Sequence, residues 1–591
     1  MQGITQENQL KDEKRFQGIP VAPGIAHGEA VVHWLEDEEL PFRKISEEDI
    51  PDEIQRFESA LIATRAELLD IQQRIAGSIG SHDASIFDAH LLVVEDRTLI
   101  DEVLRKLDQD RINIESVFHR VAEKYCKSLN EIDDPYLRER IVDIEDVSRR
   151  IMRHLLGKDL RSATIDDRPH IVIAQNLTPS DTAIMNRSLS LGFATEIGSK
   201  TSHTAIMARS LAIPAVTGLQ DITDKITSGD DVLIDGYTGL LIINPSSETL
   251  AHYAQIEKKQ EDIDEELELL RNTVSQTRDG IHITLSANIE LTEELQEMGE
   301  FGAEGIGLYR TEFLYLNRTS PPEENEQYEN YRKVVEAAHP HSTIIRTLDI
   351  GGDKSTDSLD LPEEQNPFLG FRALRFCLAN PQIFKTQLRA ILRASNHGAV
   401  RIMYPMVSGI AELRSANQLL DECKNELRSE NQPFNENIEV GCMIEIPSAA
   451  LVAHHLAKEV SFFSVGTNDL IQYTIAVDRI NDRIAHLYEP THPGVLLLLN
   501  RIVASAHENN IWVGVCGEMA GDLELTPLLV GLGIDELSAS PTLVPRIKKA
   551  IQSLNVTACQ SLASQALTMD CGNKILELCQ KVARDHYPQL L

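Results

Sequence analysis

The sequence predicts an α/β protein of several domains: a C-terminal (β/α)8 barrel, a small α/β domain, and a helical bundle inserted into that small domain. Three observations predict this. After residue 280, eight short apolar runs are each followed by a helix-like stretch, the pattern of a (β/α)8 barrel. Between 47 and 157, apolar residues recur at helical spacing. Between 169 and 245, short strand-like runs alternate with turn residues. A chain of 591 residues has room for them, since that length suggests about four folding units.

In chain order, residues 1–15 are polar and are expected to fray. Phe16–Val32 (FQGIPVAPGIAHGEAVV) reads as two short strands around Pro and Gly turns. That is too little to fold alone. These strands are therefore expected to pair elsewhere, making 16–46 plus 158–245 one discontinuous α/β domain.

Residues 47–157 read as several antiparallel helices. Ile54, Phe57, Leu61, Leu68, Ile71 and Ile75 form one stripe; Leu137, Ile141, Ile144, Val147, Ile151 and Leu155 form another. HIVIAQ (170–175) is a buried strand. VLIDGYTGLLIINP (232–245) is a hairpin with Gly236 and Gly239 about its turn. Residues 246–279 form a charged linker, helical over 247–272, with a stripe of Leu250, Tyr253, Ile256, Ile263, Leu267 and Leu270.

The barrel occupies 280–591. Its strands are expected in 283–289, 305–310, 343–349, 400–406, 439–447, 462–469, 512–519 and 534–540. Polar residues end these runs, on the face where such barrels place active sites: Asn288, Arg310, Arg346, Glu445, Asp469 and Cys516.

Charge excludes some functions. The net charge of −36 (56 Lys and Arg, 92 Asp and Glu) repels nucleic acid and anionic membranes and suits a basic protein partner. The first ten residues lack the apolar core of a signal peptide, and no apolar stretch is long enough for a bilayer. Membrane insertion is not expected. Eight cysteines without a CxxC pair or zinc spacing read as reduced thiols of a cytoplasmic protein.

The candidate chemistry divides between the two α/β parts. Arg310, Arg346 and Arg479 stand at or after strand ends. Their fixed forks suit phosphate or carboxylate, as they equally suit surface ion pairs. Glu445 and Asp469 are hard oxygen donors for Mg²⁺, or caps and ion-pair partners. Cys516 could be an acid, a nucleophile or an inert core thiol. His203, in GSKTSHTAIMARSL, stands near a helix start, where backbone N–H groups would stabilise a phosphorylated imidazole. The alternative is a structural hydrogen bond.

Long motifs in both halves weigh on these choices. TSHTAIMARSLAIPAV (201–216), GIGLYRTEF (305–313), RTLDIGGDK (346–354), NPFLGFRALR (366–375), MIEIP (443–447), SVGTNDLIQY (464–473) and AVDRIND (476–482) resemble Enzyme I. That family is the phosphoenolpyruvate–protein phosphotransferase of the bacterial sugar phosphotransferase system. The likeness runs from about Gly18 to the C-terminus.

The resemblance implies a role at each matched position. His203 would accept the phosphoryl group through Nε2. Arg310, Arg346 and Arg479 would hold phosphoenolpyruvate, with Asn468 and Asp469 beside it and Arg372 nearby. Glu445 and Asp469 would bind Mg²⁺. Cys516 would protonate enolpyruvate to pyruvate. It further implies a swivelling phosphohistidine domain, docking of the carrier HPr on residues 47–157, where FDAHLLVVED (87–96) also matches, and a homodimer through the barrel.

Three positions depart from the family. Gly198-Ser199-Lys200 replaces the usual Gly-Gly-Arg, Ile446 replaces a common threonine, and the N-terminus is about a dozen residues longer. None removes a catalytic residue. The dikinase relatives carry a large ATP-binding domain, which the roughly 110-residue helical segment cannot supply. The nitrogen-related branch adds an N-terminal sensory domain, which the few residues before Phe16 are not expected to supply. A regulatory relative without catalysis would not need His203, Glu445, Asp469 and Cys516 together.

Overall fold

The computed structural model describes the chain except residues 1–11, 34–40, 79–85, 131–134, 158–167, 178–188, 199–204, 206–207, 209–212, 317, 319, 352–357, 360–361, 363, 480 and 482. The chain divides into two units, Met1–Lys259 and Gln260–Leu591.

The first unit is built on an eight-stranded sheet. Its strands are β1 (Lys14–Gln17), β2 (Ile19–Ala22), β3 (Ile25–His33), β4 (His170–Ala174), β5 (Ser190–Thr195), β6 (Ala215–Thr217), β7 (Asp231–Asp235) and β8 (Leu240–Ile243). Their order is β1-β8-β7-β3-β4-β5-β6-β2. The centre is parallel (β3-β4-β5-β6), and its strands read as continuous apolar runs such as HIVIA because both faces are covered.

The N-terminal segment contributes three strands rather than two, and each pairs far along the chain. β1 lies antiparallel to β8, β2 to β6, and β3 to β7. Lys14 and Arg15 are therefore strand residues, not part of a frayed end. The pairing of β1 with β8 supplies the backbone partners that make their order possible.

Among the described residues, five α-helices lie between β3 and β4: α1 (Ile50–Ser78), α2 (Ile86–Val94), α3 (Arg97–Asp110), α4 (Ile114–Asn130) and α5 (Pro135–Leu156). Asp96 caps α3 by accepting from the backbone N–H groups of Thr98 (2.7 Å) and Leu99 (3.2 Å). The bundle has its own core, which includes Phe57, Leu68, Ile71, Val147, Ile151 and Leu155. Helix α6 (Ser247–Leu269) follows β8. Tyr253 packs on Leu233 and Ile242 and donates to Asp235 (3.2 Å). Ile256, expected in the apolar stripe, is exposed.

The second unit is a closed barrel of eight parallel strands. They are β9 (Thr284–Ile289), β10 (Gly305–Tyr309), β11 (Ser342–Arg346), β12 (Val400–Tyr404), β13 (Glu439–Ile444), β14 (Phe462–Val465), β15 (Trp512–Val515) and β16 (Glu536–Ala539). Each of the eight expected runs overlaps a strand, and β16 closes onto β9 through Glu536↔Thr284 to Ala539↔Ala287.

Period-2 alternation gives this unit two cores. Ile306, Ile345, Ile402, Ile444, Phe463 and Val513 face the surrounding helices. Leu308, Ile344, Met403, Met443, Phe462 and Cys516 fill the lumen, with Trp512 packed against them.

The N-terminal end of the lumen is plugged. The Phe462 and Trp512 rings stack at 4.6 Å, and the Arg401 guanidinium lies 5.1 Å from the Trp512 ring centre. Gly441 makes room for this plug, since a Cβ there would lie 2.5 Å from the Phe462 ring. Gly441→Ala should destabilise the barrel by about 1–3 kcal/mol through overpacking. Urea unfolding of the full chain, followed by Trp512 fluorescence, checks it.

Lys548 is buried and donates to three carbonyls, those of Arg271 (3.1 Å), Thr273 (3.1 Å) and Gly302 (2.9 Å). The segment that follows α6 is tied to the barrel in this way. No helix among the described residues is long and apolar enough to cross a membrane.

Candidate active site at the barrel mouth

The C-terminal ends of the strands gather charge. Arg310 directly follows β10, Arg346 ends β11, Glu445 follows β13 and Cys516 follows β15. Asp469 does not end a strand as expected. β14 stops at Val465, and Asp469 lies in the first turn of the helix Thr467–Ile475. Gly466 breaks the strand there, where a Cβ would lie 2.7 Å from Glu445 Oε2. The short strand thus gives the Glu445 carboxylate its space.

Buried ion pairs link these groups. Arg346 pairs with Glu312 and, at 3.1 Å, with Asp349. Arg372 Nη2 donates to both Asp349 oxygens (3.0 and 3.2 Å) and to Asp469 (3.3 Å). Arg310 makes a half-buried pair with Glu290. Glu312 and Asp349 were not singled out from the sequence. Their signal was an acidic residue two or three positions after each strand-end arginine, in RTE and RTLD.

Backbone geometry helps to place Arg372. Gly351 (φ +114°) leaves space that a Cβ would take, 2.4 Å from Arg372 Cβ, and Ala373 holds φ 52° immediately after it. Left-handed alanine is uncommon and costs energy that the surrounding contacts must offset.

Among the described residues, the carboxylates Glu312, Asp349, Glu445 and Asp469 and the guanidinium groups of Arg346 and Arg372 are all buried here. Burial, Asp469 and Asp349 push the Glu445 carboxyl up from its ordinary value, and Arg346 and Arg372 offset this only in part. Glu445 Oε1 also accepts from the Met406 N–H (2.5 Å).

The Nε–H groups of Arg310, Arg346 and Arg372 are buried and find no hydrogen-bond partner among the described residues. Burial and the neighbouring Arg346 push the Arg310 guanidinium down. An anion between these arginines would relieve both the repulsion and the unmet donors.

Asn468 stands at the rim. Its amide donates to Glu518 (2.9 Å), and its carbonyl oxygen accepts from the Glu518 N–H (2.8 Å). The Arg479 N–H donates to Gln472 (3.2 Å), in the loop after the same helix. The Cys516 thiol is buried and is pushed up to about 11, chiefly by burial. It therefore holds its proton at neutral pH.

His203, Ser199 and Lys200 lie outside the described residues. The described residues on either side are held by hydrogen bonds and burial. Thr195 and Thr217 both donate to the Ile197 carbonyl (2.9 Å each), and Gly198 (φ +149°) approaches so closely that a Cβ would lie 2.2 Å from Thr217 Oγ1. On the far side, Ala205 and Ala208 are buried with Phe193 and Ile213.

Three models of one enzyme family match successive parts of the chain. Residues 17–140 match the N-terminal domain of PEP-utilising enzymes, 166–239 their mobile domain and 264–556 their PEP-binding domain. The chain is 43% identical over 568 residues to the phosphoenolpyruvate-protein phosphotransferase of Listeria innocua, covering 96% of this chain and 99% of that protein. It is 43% identical over 572 residues to the protein of that name from Staphylococcus carnosus, covering 97% and 100%. A solution structure titled Enzyme I (nEIt) aligns at 38% identity over 42% of this chain and 99% of that one, with a TM-score of 0.36. Likeness of this extent, at full length and across all three domain families, places the chain in the phosphoenolpyruvate–protein phosphotransferase family.

Proposed function

We propose that this protein takes the phosphoryl group of phosphoenolpyruvate onto His203 and passes it to a histidine of an HPr-type carrier, releasing pyruvate. The observation that carries the reading is the set of buried guanidinium groups at the barrel mouth. They are held by carboxylates on one side, with Nε–H donors unmet. Such a set of donors fits a small, highly charged anion bearing both phosphate and carboxylate.

In this reading Arg310, Arg346, Arg372 and Arg479 clamp the substrate, and Asn468 and Asp469 border it. Glu445 and Asp469 would hold Mg²⁺. The donor set fits, since Glu445 and Asp469 are buried carboxylates with hard oxygen donors. Mg²⁺ is content with one or two carboxylates plus water and substrate oxygens. The bound cation would neutralise phosphoryl oxygens as charge develops on them.

The chain's own residues do the rest. The arginines align the phosphoryl group and the enolate oxygen, which is most of what phosphoryl transfer asks of a protein. Cys516, still a thiol at neutral pH, gives its proton to the methylene carbon of the enolate. This drives the transfer forward, because the ketone of pyruvate replaces an unstable enol. His203 would carry the phosphoryl group between partners.

We assign 16–46 plus 158–245 as the swivelling phosphohistidine domain, 47–157 as the HPr-docking bundle, 246–279 as linker, and 280–591 as the substrate and dimerisation domain of a cytoplasmic homodimer. An absorbance assay for pyruvate tests the overall reaction. With Mg²⁺ and phosphoenolpyruvate the chain should release one pyruvate per subunit and stop; an excess of HPr-type carrier should make release continuous. Absence of pyruvate in both mixtures would refute the proposal.

A further inference from the structure

We infer that Ser464 is the positioning residue for Cys516: its hydroxyl orients the thiol and holds the sulfur's negative charge once the proton has left. This rests on the phosphoenolpyruvate reading above. The geometry is specific. Along β14 the lumen-facing positions are Phe462 in the floor, Ser464 above it, and the glycine that makes room for Glu445. Ser464 and Cys516 are both buried, and Ser464 Oγ donates to Cys516 Sγ at 3.2 Å. The thiol's own proton is directed at the Val465 carbonyl over a long 3.7 Å. The hydrogen bond that the thiol donates is therefore the long one, and the one that its sulfur accepts is the short one.

The chemistry explains why the hydroxyl is useful. In the acid step the S–H bond breaks and the proton joins C3 of the enolate. The C2–C3 π pair becomes the new C–H bond, and the C2–O bond becomes a carbonyl. Sulfur is left as a thiolate in a lumen otherwise packed with Leu308, Ile344, Met403, Met443 and Phe462.

Arg310 and Arg346 favour that charge, whereas burial and Glu445 oppose it. The Ser464 hydroxyl also favours it and is already aimed at the sulfur, so no rearrangement is needed as charge appears. Among the described residues it is the side-chain hydrogen-bond partner of Sγ.

Alkylation of the full chain by iodoacetamide at pH 9 tests this without substrate. Peptide mass spectrometry follows Cys516, with Cys126 as internal reference. Ser464→Ala should slow Cys516 alkylation about tenfold, the size of one hydrogen bond to a charged acceptor. Cys126 should be unchanged, and Ser464→Thr should recover most of the rate. In the pyruvate assay, Ser464→Ala should lower kcat by a similar factor and leave KM alone. Alkylation of Cys516 at the wild-type rate in Ser464→Ala would overturn the inference. A clear alkylation effect in a protein that forms no pyruvate would uphold the hydrogen bond and reject the reaction.

Discussion

Arg346→Ala is expected to cut phosphoryl transfer from phosphoenolpyruvate by about a thousandfold, the usual scale for a guanidinium that stabilises a transferring phosphoryl group. Arg346 ends β11 inside the barrel mouth, pairs with Glu312 and Asp349, and keeps an unmet Nε–H. The same substitution should destabilise the barrel by about 3–5 kcal/mol, because it strands buried carboxylates. Arg346→Lys separates the two effects. It restores a charge beside Glu312 and Asp349, so much of the stability should return. It lacks the planar fork, so transfer should stay impaired. Stopped-flow pyruvate release and urea unfolding on the same samples read the two quantities.

Glu445→Gln should abolish metal-dependent transfer while leaving the metal-free fold as stable as before, or more so. Burial, Asp469 and Asp349 all raise this carboxyl above its ordinary value. The native state therefore binds its proton more tightly than the unfolded chain does. Metal-free stability from this group is full below the ordinary carboxylate range and is lost as pH rises through the raised native value.

Thermal unfolding of the metal-free protein between pH 5 and 8 should show that decline, and Glu445→Gln should lessen it. Mg²⁺ binds the ionised carboxylate, so its affinity should weaken as pH falls, which titration calorimetry can follow. A Glu445→Gln protein that retains metal-dependent turnover would remove Glu445 from the cation's ligands.

The barrel was legible because each strand carries its own local signal: a short apolar run closed by a polar residue and followed by a helical period. Asp469 was placed one element too early because FFSVGTND reads as a continuous strand. What stops that strand is the demand of Glu445 for space at Gly466, a contact between neighbouring strands that no single segment displays. β1 escaped notice for a similar reason. Lys14 and Arg15 are strand residues only because β8, more than two hundred positions away, supplies their partners.

Among site residues, the strand-end arginines and Glu445 could be read from position and chemical type. Glu312 and Asp349 left only the faint signal of an acid two or three positions after a strand-end arginine, and Ser464 left none. Their importance lies in which guanidinium or thiol each one touches, and that depends on how β10, β11, β14 and β15 are registered in the closed barrel.

The central claim is that the group leaving phosphoenolpyruvate comes to rest on His203. Intact mass spectrometry of the full chain after mixing with Mg²⁺ and phosphoenolpyruvate tests it most directly. The account predicts a gain of one acid-labile phosphoryl group per subunit, absent in His203→Ala. A folded wild-type protein that gains nothing, or a His203→Ala protein that gains the same group, would contradict it.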